Sequence, residues 1–75
     1  MNLRKFTQSH NADDKVVVSM VNGYYLEFLV CNFTQIDDNP FVCVTTGNGR
    51  EYFINTNHIV SMEIIDKDGN EWWII

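Results

Sequence analysis

Few residues of this sequence carry positive charge. Lysine and arginine together number 5 against 10 aspartates and glutamates, which gives a formal net charge of −5 at pH 7. Proteins that bind nucleic acid through its phosphates normally carry excess positive charge, because counterion release supplies much of the affinity. The chain as a whole therefore repels a phosphate backbone. We expect no DNA partner, and any contact with RNA has to be local and supported by stacking.

Cysteine and proline are also scarce, with two cysteines and one proline in 75 residues. Cys31 and Cys43 each lie inside an apolar run, where a reduced cysteine packs as a small hydrophobic residue. No apolar signal core precedes them, so we expect reduced thiols in a cytoplasmic protein, with a disulfide between the two runs as the alternative. No apolar run approaches the roughly 20 residues that a membrane span needs, which predicts no membrane partner.

Residue types that carry catalysis or bind metals are not grouped. The two histidines, His10 and His58, are far apart, and no Cys-x-x-Cys or His-x-x-x-His spacing occurs; such spacings are what metal sites use. The segment Asp66–Glu71 is similar to the start of a calcium-binding loop but lacks the later carboxylate, which favours a hairpin turn. No nucleophile is paired with a base. The sequence therefore predicts no enzyme activity, no metal and no cofactor.

The length of the chain predicts one small domain that gains from self-association. A domain of this size buries only about 60% of the surface of its unfolded chain, so its core is small. The hydrophobic content of 45% is ordinary for a globular protein;. Small domains often gain stability by oligomerising, so a homo-oligomer is expected before any motif is considered.

Apolar and β-branched residues are spaced for strands over most of the chain. Residues 16–21 and 24–34 are predicted to be strands joined at Asn22–Gly23, a pair that is a strong hairpin signal. The second of these strands is apolar on both faces and unusually long, which predicts a bend or bulge near Cys31–Phe33. Four further strands are predicted over residues 41–46, 50–54, 59–65 and 71–75.

Short strands, tight turns and one bent strand together predict an all-β fold. We expect a small, strongly bent antiparallel barrel, since closure protects the edges of the sheet. Residues 1–15 form either a short helix resting on the barrel or an extended arm. Residues 16–65 form the core of the single domain 1–75, and residues 66–75 add a C-terminal hairpin strand.

Two segments carry a recognisable motif. Val16–Gln35 contains Val-Asn-Gly followed by apolar residues at fixed offsets and a Phe-Thr-Gln, and Tyr52–Ser61 contains a histidine followed by Ile-Val-Ser. Both segments resemble the Sm motif as it occurs in the Sm-like, Hfq-like family of small β-barrels. The resemblance covers residues 16–65. It implies a short helix or arm followed by a strongly bent barrel of the Sm-like or SH3-like kind.

The resemblance also implies how copies of the chain would assemble. Members of the family pair the edges of their fourth and fifth strands between subunits, which produces a ring. For this chain the resemblance implies a ring of about five to seven copies. Residues Tyr52 and Ile54, on the fourth predicted strand, would then contact the neighbouring subunit.

Single-stranded RNA is the ligand that the resemblance implies. Family members bind uridine-rich or adenine-rich RNA on the faces of the ring. The bases stack on an aromatic side chain and are held by amide and Lys-His contacts. By motif position, the pocket residues of this chain are Gln35, Phe41 and His58.

Several positions depart from the family pattern. Phe28 stands where the family has a glycine that permits a sharp bend. Asn57 replaces the lysine before the histidine, and a longer loop adds Asp37 and Asp38 near the implied pocket. These changes remove positive potential where RNA would lie. A surface turn residue is then the alternative role for His58.

Two adjacent tryptophans lie near the end of the sequence. Neighbouring residues of a strand point to opposite faces, so one of Trp72 and Trp73 can join the core while the other faces out. An exposed tryptophan favours a subunit or partner contact, with burial of both against the barrel as the alternative. Trp72, Trp73 and Ile75 are therefore candidate contact residues.

Two functional hypotheses follow from the sequence. The first is a non-enzymatic, ring-forming protein that associates with RNA. The second is a protein–protein interaction or assembly module on the same barrel, of phage or accessory bacterial origin. The acidic charge, the missing lysine and the tryptophan pair favour the second hypothesis.

Overall fold

The fold is all-β, as predicted, with one short helix. A computed structural model describes residues 2–36 and 39–74; Asp37, Asp38 and the candidate contact Ile75 lie outside the described residues. The elements in chain order are α1 (Leu3–Thr7), β1 (Lys15–Met20), β2 (Tyr25–Thr34), β3 (Phe41–Thr46), β4 (Glu51–Asn55), a 3₁₀ helix (Thr56–His58), β5 (Ile59–Ile65) and β6 (Glu71–Ile74). The N-terminal segment thus contains the short helix, and the additional C-terminal strand is present. The described part of the chain contains no helix long and apolar enough to cross a membrane.

Three hairpins share one turn geometry. In the first, the Gly23 amide donates to the Met20 carbonyl at 3.0 Å, and the Met20 amide donates to the Tyr24 carbonyl at 2.7 Å. Gly23 has a φ of 89°, which costs a residue without a Cβ very little. Gly49 and Gly69 take the same place in the β3–β4 and β5–β6 turns. A three-residue loop ending in a left-handed glycine is a common hairpin connection, so the first predicted hairpin is confirmed.

The long strand β2 bends in its middle. It pairs with β1 over Tyr25–Leu29 and with β3 mainly beyond that point. From Phe28 to Phe33 it advances five residues while β3 advances only two, from Thr46 to Val44. Extra residues on one strand of a pair form a bulge, which bends that strand. This confirms the bend predicted from the length of the strand.

The segment between α1 and β1 pairs with the bulged part of β2. The Val30 amide donates to the Asp14 carbonyl and the Cys31 amide donates to the Ala12 carbonyl, both at 3.0 Å. Cys31 lies in the bulge and its side chain is exposed, so the prediction that Cys31 is buried is wrong. Cys43 is half-buried. Both cysteines are free thiols.

All six strands belong to one antiparallel sheet with the order β4-β3-β2-β1-β5-β6. In a flat sheet β4 and β5 would be about 19 Å apart, at four spacings of about 4.8 Å. Only three residues separate Asn55, the last of β4, from Ile59, the first of β5, and such a link spans at most about 14 Å. The sheet must therefore curl, in agreement with overall extents of 30, 25 and 23 Å.

The curled sheet is open rather than a closed barrel. Its two edges are β4 and β6, which are not paired with each other in the part of the chain that the structure describes. The chain passes from β4 to β5 through the 3₁₀ helix, whose backbone bonds go to Pro40 and Val21 rather than across the gap. One copy of the chain thus leaves two strand edges available.

The core fills the inside of the curl. Alternate residues of β1, β3 and β5 supply most of it, as the period of two along a strand requires. The buried apolar residues are Leu3, Val16, Val18, Phe28, Val42, Val44, Ile54, Met62 and Ile64. Phe28 is 3% exposed, and its ring lies edge-on to that of Phe33 with centroids 6.1 Å apart. The Phe28 ring, at the position where the resemblance implies a glycine, is therefore part of the core.

Candidate functional site: an aromatic cleft and two sheet edges

An apolar cleft of about 450 Å³ opens between the first hairpin and the β3–β4 end of the sheet. Aromatic side chains dominate it: Tyr24, Phe41 and Phe53 are 73%, 54% and 77% exposed. His58 and Asn55 also line it, and among its described lining residues none is aspartate, glutamate, lysine or arginine. The cleft is thus an uncharged surface on which a flat ring or an apolar side chain can pack.

The 3₁₀ helix places His58 beside Phe41. The amide and the hydroxyl of Thr56 both donate to the Pro40 carbonyl, at 2.7 and 2.8 Å. The Val21 amide donates to the His58 carbonyl at 2.8 Å. These bonds fasten the turn before β5 to the start of β3 and to the first hairpin, so two of the three residues of the implied pocket meet in one cleft.

Gln35 lies elsewhere and is only 2% exposed. Its side-chain oxygen accepts from the Leu3 amide at 2.8 Å, and its side-chain nitrogen donates to the Asn39 carbonyl at 2.8 Å. Its main-chain carbonyl accepts from the Arg4 guanidinium. The side chain therefore holds α1 and the loop before β3 together. The structure does not bring it into the cleft with Phe41 and His58.

The edge strand β4 presents its residues alternately inward and outward. Ile54 is buried at 7% exposure and Tyr52 is half-buried, whereas Phe53 points outward. Of the two residues proposed from the resemblance as subunit contacts, Ile54 thus packs mainly inside its own chain. Phe53 and Tyr24 are exposed residues that the sequence analysis did not select. The signal for Phe53 was its place between two apolar residues of a predicted strand, since the middle one of three consecutive residues faces the opposite side;.

Neither tryptophan of β6 is in the core. Trp72 is 46% and Trp73 is 59% exposed. The ring of Trp72 lies edge-on to the imidazole of His10 with centroids 4.9 Å apart, and His10 Nδ1 is 3.6 Å from Asp14 Oδ2. The segment before β1 therefore holds one side of β6, while Trp73 faces away on the other.

The outer edge of β5 is largely occupied. The described part of β6 pairs with β5 from Met62 to Ile65, and within the described residues Ile59–Ser61 has no β6 partner. The family resemblance implies a free edge along this strand. In this chain, the extra strand has taken most of it, so β6 replaces β5 as the second edge of the sheet.

Two carboxyl groups of the β5–β6 hairpin, those of Glu63 and Asp66, have pKa values shifted in opposite directions. A hydrogen bond with the Glu71 carboxyl, helped by desolvation and by repulsion from its charge, raises the pKa of Glu63. Desolvation acts to raise the pKa of Asp66, but hydrogen bonds from Asn70, Asp68 and Gly69 outweigh it and lower that pKa. Protonation of Glu63 thus favours the hairpin, and protonation of Asp66 disfavours it.

We expect the pairing of β6 with β5 to be strongest between pH 3.8 and 4.5, the ordinary pKa values of the two groups. The raised pKa of Glu63 contributes stability that is lost as the pH rises above that window. The lowered pKa of Asp66 contributes stability that is lost as the pH falls below it. Both tryptophans of the chain lie in β6, so the wavelength of tryptophan emission as a function of pH measures this change directly.

Glu63→Gln tests the loss of β5–β6 pairing that is expected as the pH rises above the window. The variant should keep the emission of the acidic state to higher pH than the unmodified chain does, because its amide cannot ionise. Glu51→Gln, a matched change on the other edge strand, should leave the curve unchanged. A Glu63→Gln curve that superimposes on that of the unmodified chain would contradict the assignment.

The chemistry of the site follows from these side chains. Among residues 2–36 and 39–74, no three histidine, cysteine, aspartate or glutamate side chains are grouped as a metal ion requires. Comparison with protein-family models, with curated proteins and with solved structures found no match to this chain. The cleft offers stacking, apolar contact and amide hydrogen bonds, and the edges offer strand pairing.

Proposed function

We propose that this chain is a non-enzymatic, Sm-like protein that assembles into a homo-oligomeric ring of about five to seven copies. We further propose that single-stranded RNA contacts its aromatic cleft. The observation that carries the proposal is the uncharged aromatic surface beside the unpaired edge of β4. The proposed function consists of binding and assembly and includes no covalent step.

Self-assembly is supported by the two free edges of the sheet. Exposed strand edges pair readily with other strands, and natural proteins usually protect them with charge, proline or a covering element. β4 instead carries Phe53 at its centre, 77% exposed. Large exposed aromatic residues next to a free edge are typical of a surface that is covered in the assembled protein.

The general architecture supports the family part of the proposal. The resemblance implies a short helix or arm before a strongly bent antiparallel sheet. Helix α1, the bulge of β2 and the curl between β4 and β5 are in line with that description. The additional strand β6 is a departure, and it changes which edge a neighbouring copy can reach.

RNA binding is supported by the aromatic content of the cleft. Bases stack on exposed aromatic rings, and Phe41 and Tyr24 present such rings beside His58;. Because the described lining includes no lysine or arginine, few phosphates can be neutralised there. We therefore expect binding that depends on stacking and is only weakly sensitive to salt.

Phe41→Ala should lower the affinity for RNA by about 5-fold to 100-fold, the usual loss for one stacked base. Fluorescence anisotropy with uridine-rich and adenine-rich oligonucleotides at low salt measures the change. Phe6→Ala is the matched control, since Phe6 is a partly exposed aromatic residue on α1, outside the cleft. Its affinity should equal that of the unmodified chain.

Native mass spectrometry, with and without nuclease treatment, tests the assembly itself. The expected result is a discrete ring whose mass falls after nuclease if RNA co-purifies. Absence of RNA binding at low salt would reject the RNA part of the proposal, because the phosphate contribution is largest there. A monomer at every concentration would reject the ring.

A second candidate function is an assembly module that captures a different protein. The observation that favours it is the lack of lysine and arginine in the described lining of the cleft, together with a net charge of −5. Interface cores in proteins are likewise rich in tyrosine, phenylalanine and methionine and poor in charge. A monomer without RNA affinity would favour this function over the first.

A further inference from the structure

We infer that copies of this chain join by pairing β4 of one copy with β6 of the next, antiparallel, with Phe53 opposite Trp73. This inference rests on the proposed self-assembly and names the strands that carry it. It differs from pairing between β4 and β5, because β6 covers β5 from Met62 to Ile65. The two edges of the described sheet are β4 and β6.

The two edge strands match in length and in exposure. β4 has five residues, Glu51–Asn55, and the described part of β6 has four, Glu71–Ile74. Each has an aromatic residue on its outward face near the middle: Phe53 is 77% and Trp73 is 59% exposed. Aromatic side chains directly opposite each other on paired strands are among the stabilising cross-strand pairs.

The proposed register also matches the faces of the two strands. Trp72 and Ile74 lie opposite Ile64 and Met62 of β5, which are core residues, so they belong to the inner face. Tyr52 and Ile54 form the inner face of β4. Pairing Phe53 with Trp73 sets Tyr52 opposite Ile74 and Ile54 opposite Trp72. Every inner residue then meets an inner residue, so the apolar inner surface continues from one copy to the next.

Charge selects the antiparallel direction, and the presence of both matching edges on one chain identifies the occupant as a second copy. Glu51 and Glu71 are the first residues of their strands. Parallel pairing in this register would place the two carboxylates side by side, and like charges directly opposite each other are destabilising. Antiparallel pairing separates them and sets Asn55 opposite Glu71. The chain thus supplies both complementary edges itself, and such a head-to-tail contact produces a ring where the rotation closes.

Disulfide crosslinking between two single-cysteine variants tests the register. In a background with Cys31→Ser and Cys43→Ala, Phe53→Cys is mixed with Trp73→Cys and oxidised. Residues directly opposite on antiparallel strands have Cβ atoms about 4.5–5.5 Å apart, close to what a disulfide needs. A crosslinked dimer of the two variants is the expected product. Phe53→Cys mixed with Val60→Cys is the comparison pair, since Val60 is exposed on the part of β5 that β6 leaves uncovered.

Crosslinking of the comparison pair alone would overturn the inference and leave self-assembly intact. A monomer of the unmodified chain in native mass spectrometry would instead reject the proposed function.

Hydrogen exchange of the unmodified chain is a second test of the inference, and it requires no substitution. With rising protein concentration the amides of Glu51–Asn55 and Glu71–Ile74 should become protected together. Protection of β4 together with Ile59–Ser61, without β6, would overturn the inference.

Discussion

Phe28→Ala is expected to destabilise the protein by about 3–5 kcal/mol, the usual cost of removing a buried phenylalanine ring. Phe28 is 3% exposed and contacts Phe33 across the inside of the bend in β2. The whole free energy of unfolding of a 75-residue domain is about 4–11 kcal/mol. The variant should therefore be unfolded without urea or unfold at a far lower urea concentration than the unmodified chain. Circular dichroism during urea titration measures the midpoint.

Tyr25→Ala is the matched control on the same strand. Tyr25 is 68% exposed, so its truncation should change the free energy of unfolding by no more than about 0.5 kcal/mol. If the two variants unfold at the same urea concentration, Phe28 is not a core residue. Such a result would mean that the ring contributes little to the core and that the position serves only as a bend in β2.

Gln35→Leu is expected to destabilise the protein by about 1–3 kcal/mol. Leucine has nearly the same volume but leaves the Leu3 amide and the Asn39 carbonyl without their bonds to the Gln35 side chain. A buried polar group left without a partner costs about 1–3 kcal/mol. Urea unfolding measures the loss of stability. Gln8→Leu, at the exposed C-terminal end of α1, should leave the free energy of unfolding unchanged.

The same variant separates two roles for Gln35. The family resemblance implies a base contact, whereas the structure buries the side chain between α1 and the loop before β3. A stable Gln35→Leu protein that no longer binds RNA would establish the ligand role. An unstable protein whose remaining folded fraction binds RNA with unchanged affinity would establish the structural role.

Features that depend on a few neighbouring residues were predictable from the sequence. The three hairpins form where glycine directly follows asparagine or aspartate, because positive φ is a local requirement;. The bend in β2 was also predictable. A strand of ten residues is longer than most strands, and one that is apolar on both faces has to bend so that both faces are covered;. These predictions needed no knowledge of which strands pair over long distances.

Features that depend on distant contacts were not predictable. The role of Gln35 is set by Leu3, which lies 32 positions earlier in the chain. The exposure of Trp73 depends on which strand β6 joins, and alternation along the sequence does not specify that partner. The pattern of short strands likewise predicted closure. The sheet is open instead, with β4 and β6 as its edges, because closure depends on which distant strands pair and the pattern of short strands does not specify that.

The central position of β1 affects how the chain folds during its synthesis. β1 pairs with β2 through a nearby turn but with β5 through residues up to fifty positions later, as Lys15 and Ile65 show. Contacts of such long range form slowly, because a large loop must close first. While the ribosome is still adding β3 and β4, one side of β1 has no partner, although Val16 and Val18 are among the most deeply buried residues of the finished fold. A nascent chain is therefore most prone to mispairing just before β5 emerges, and the last two of the five strand pairings, β1 with β5 and β5 with β6, form late;.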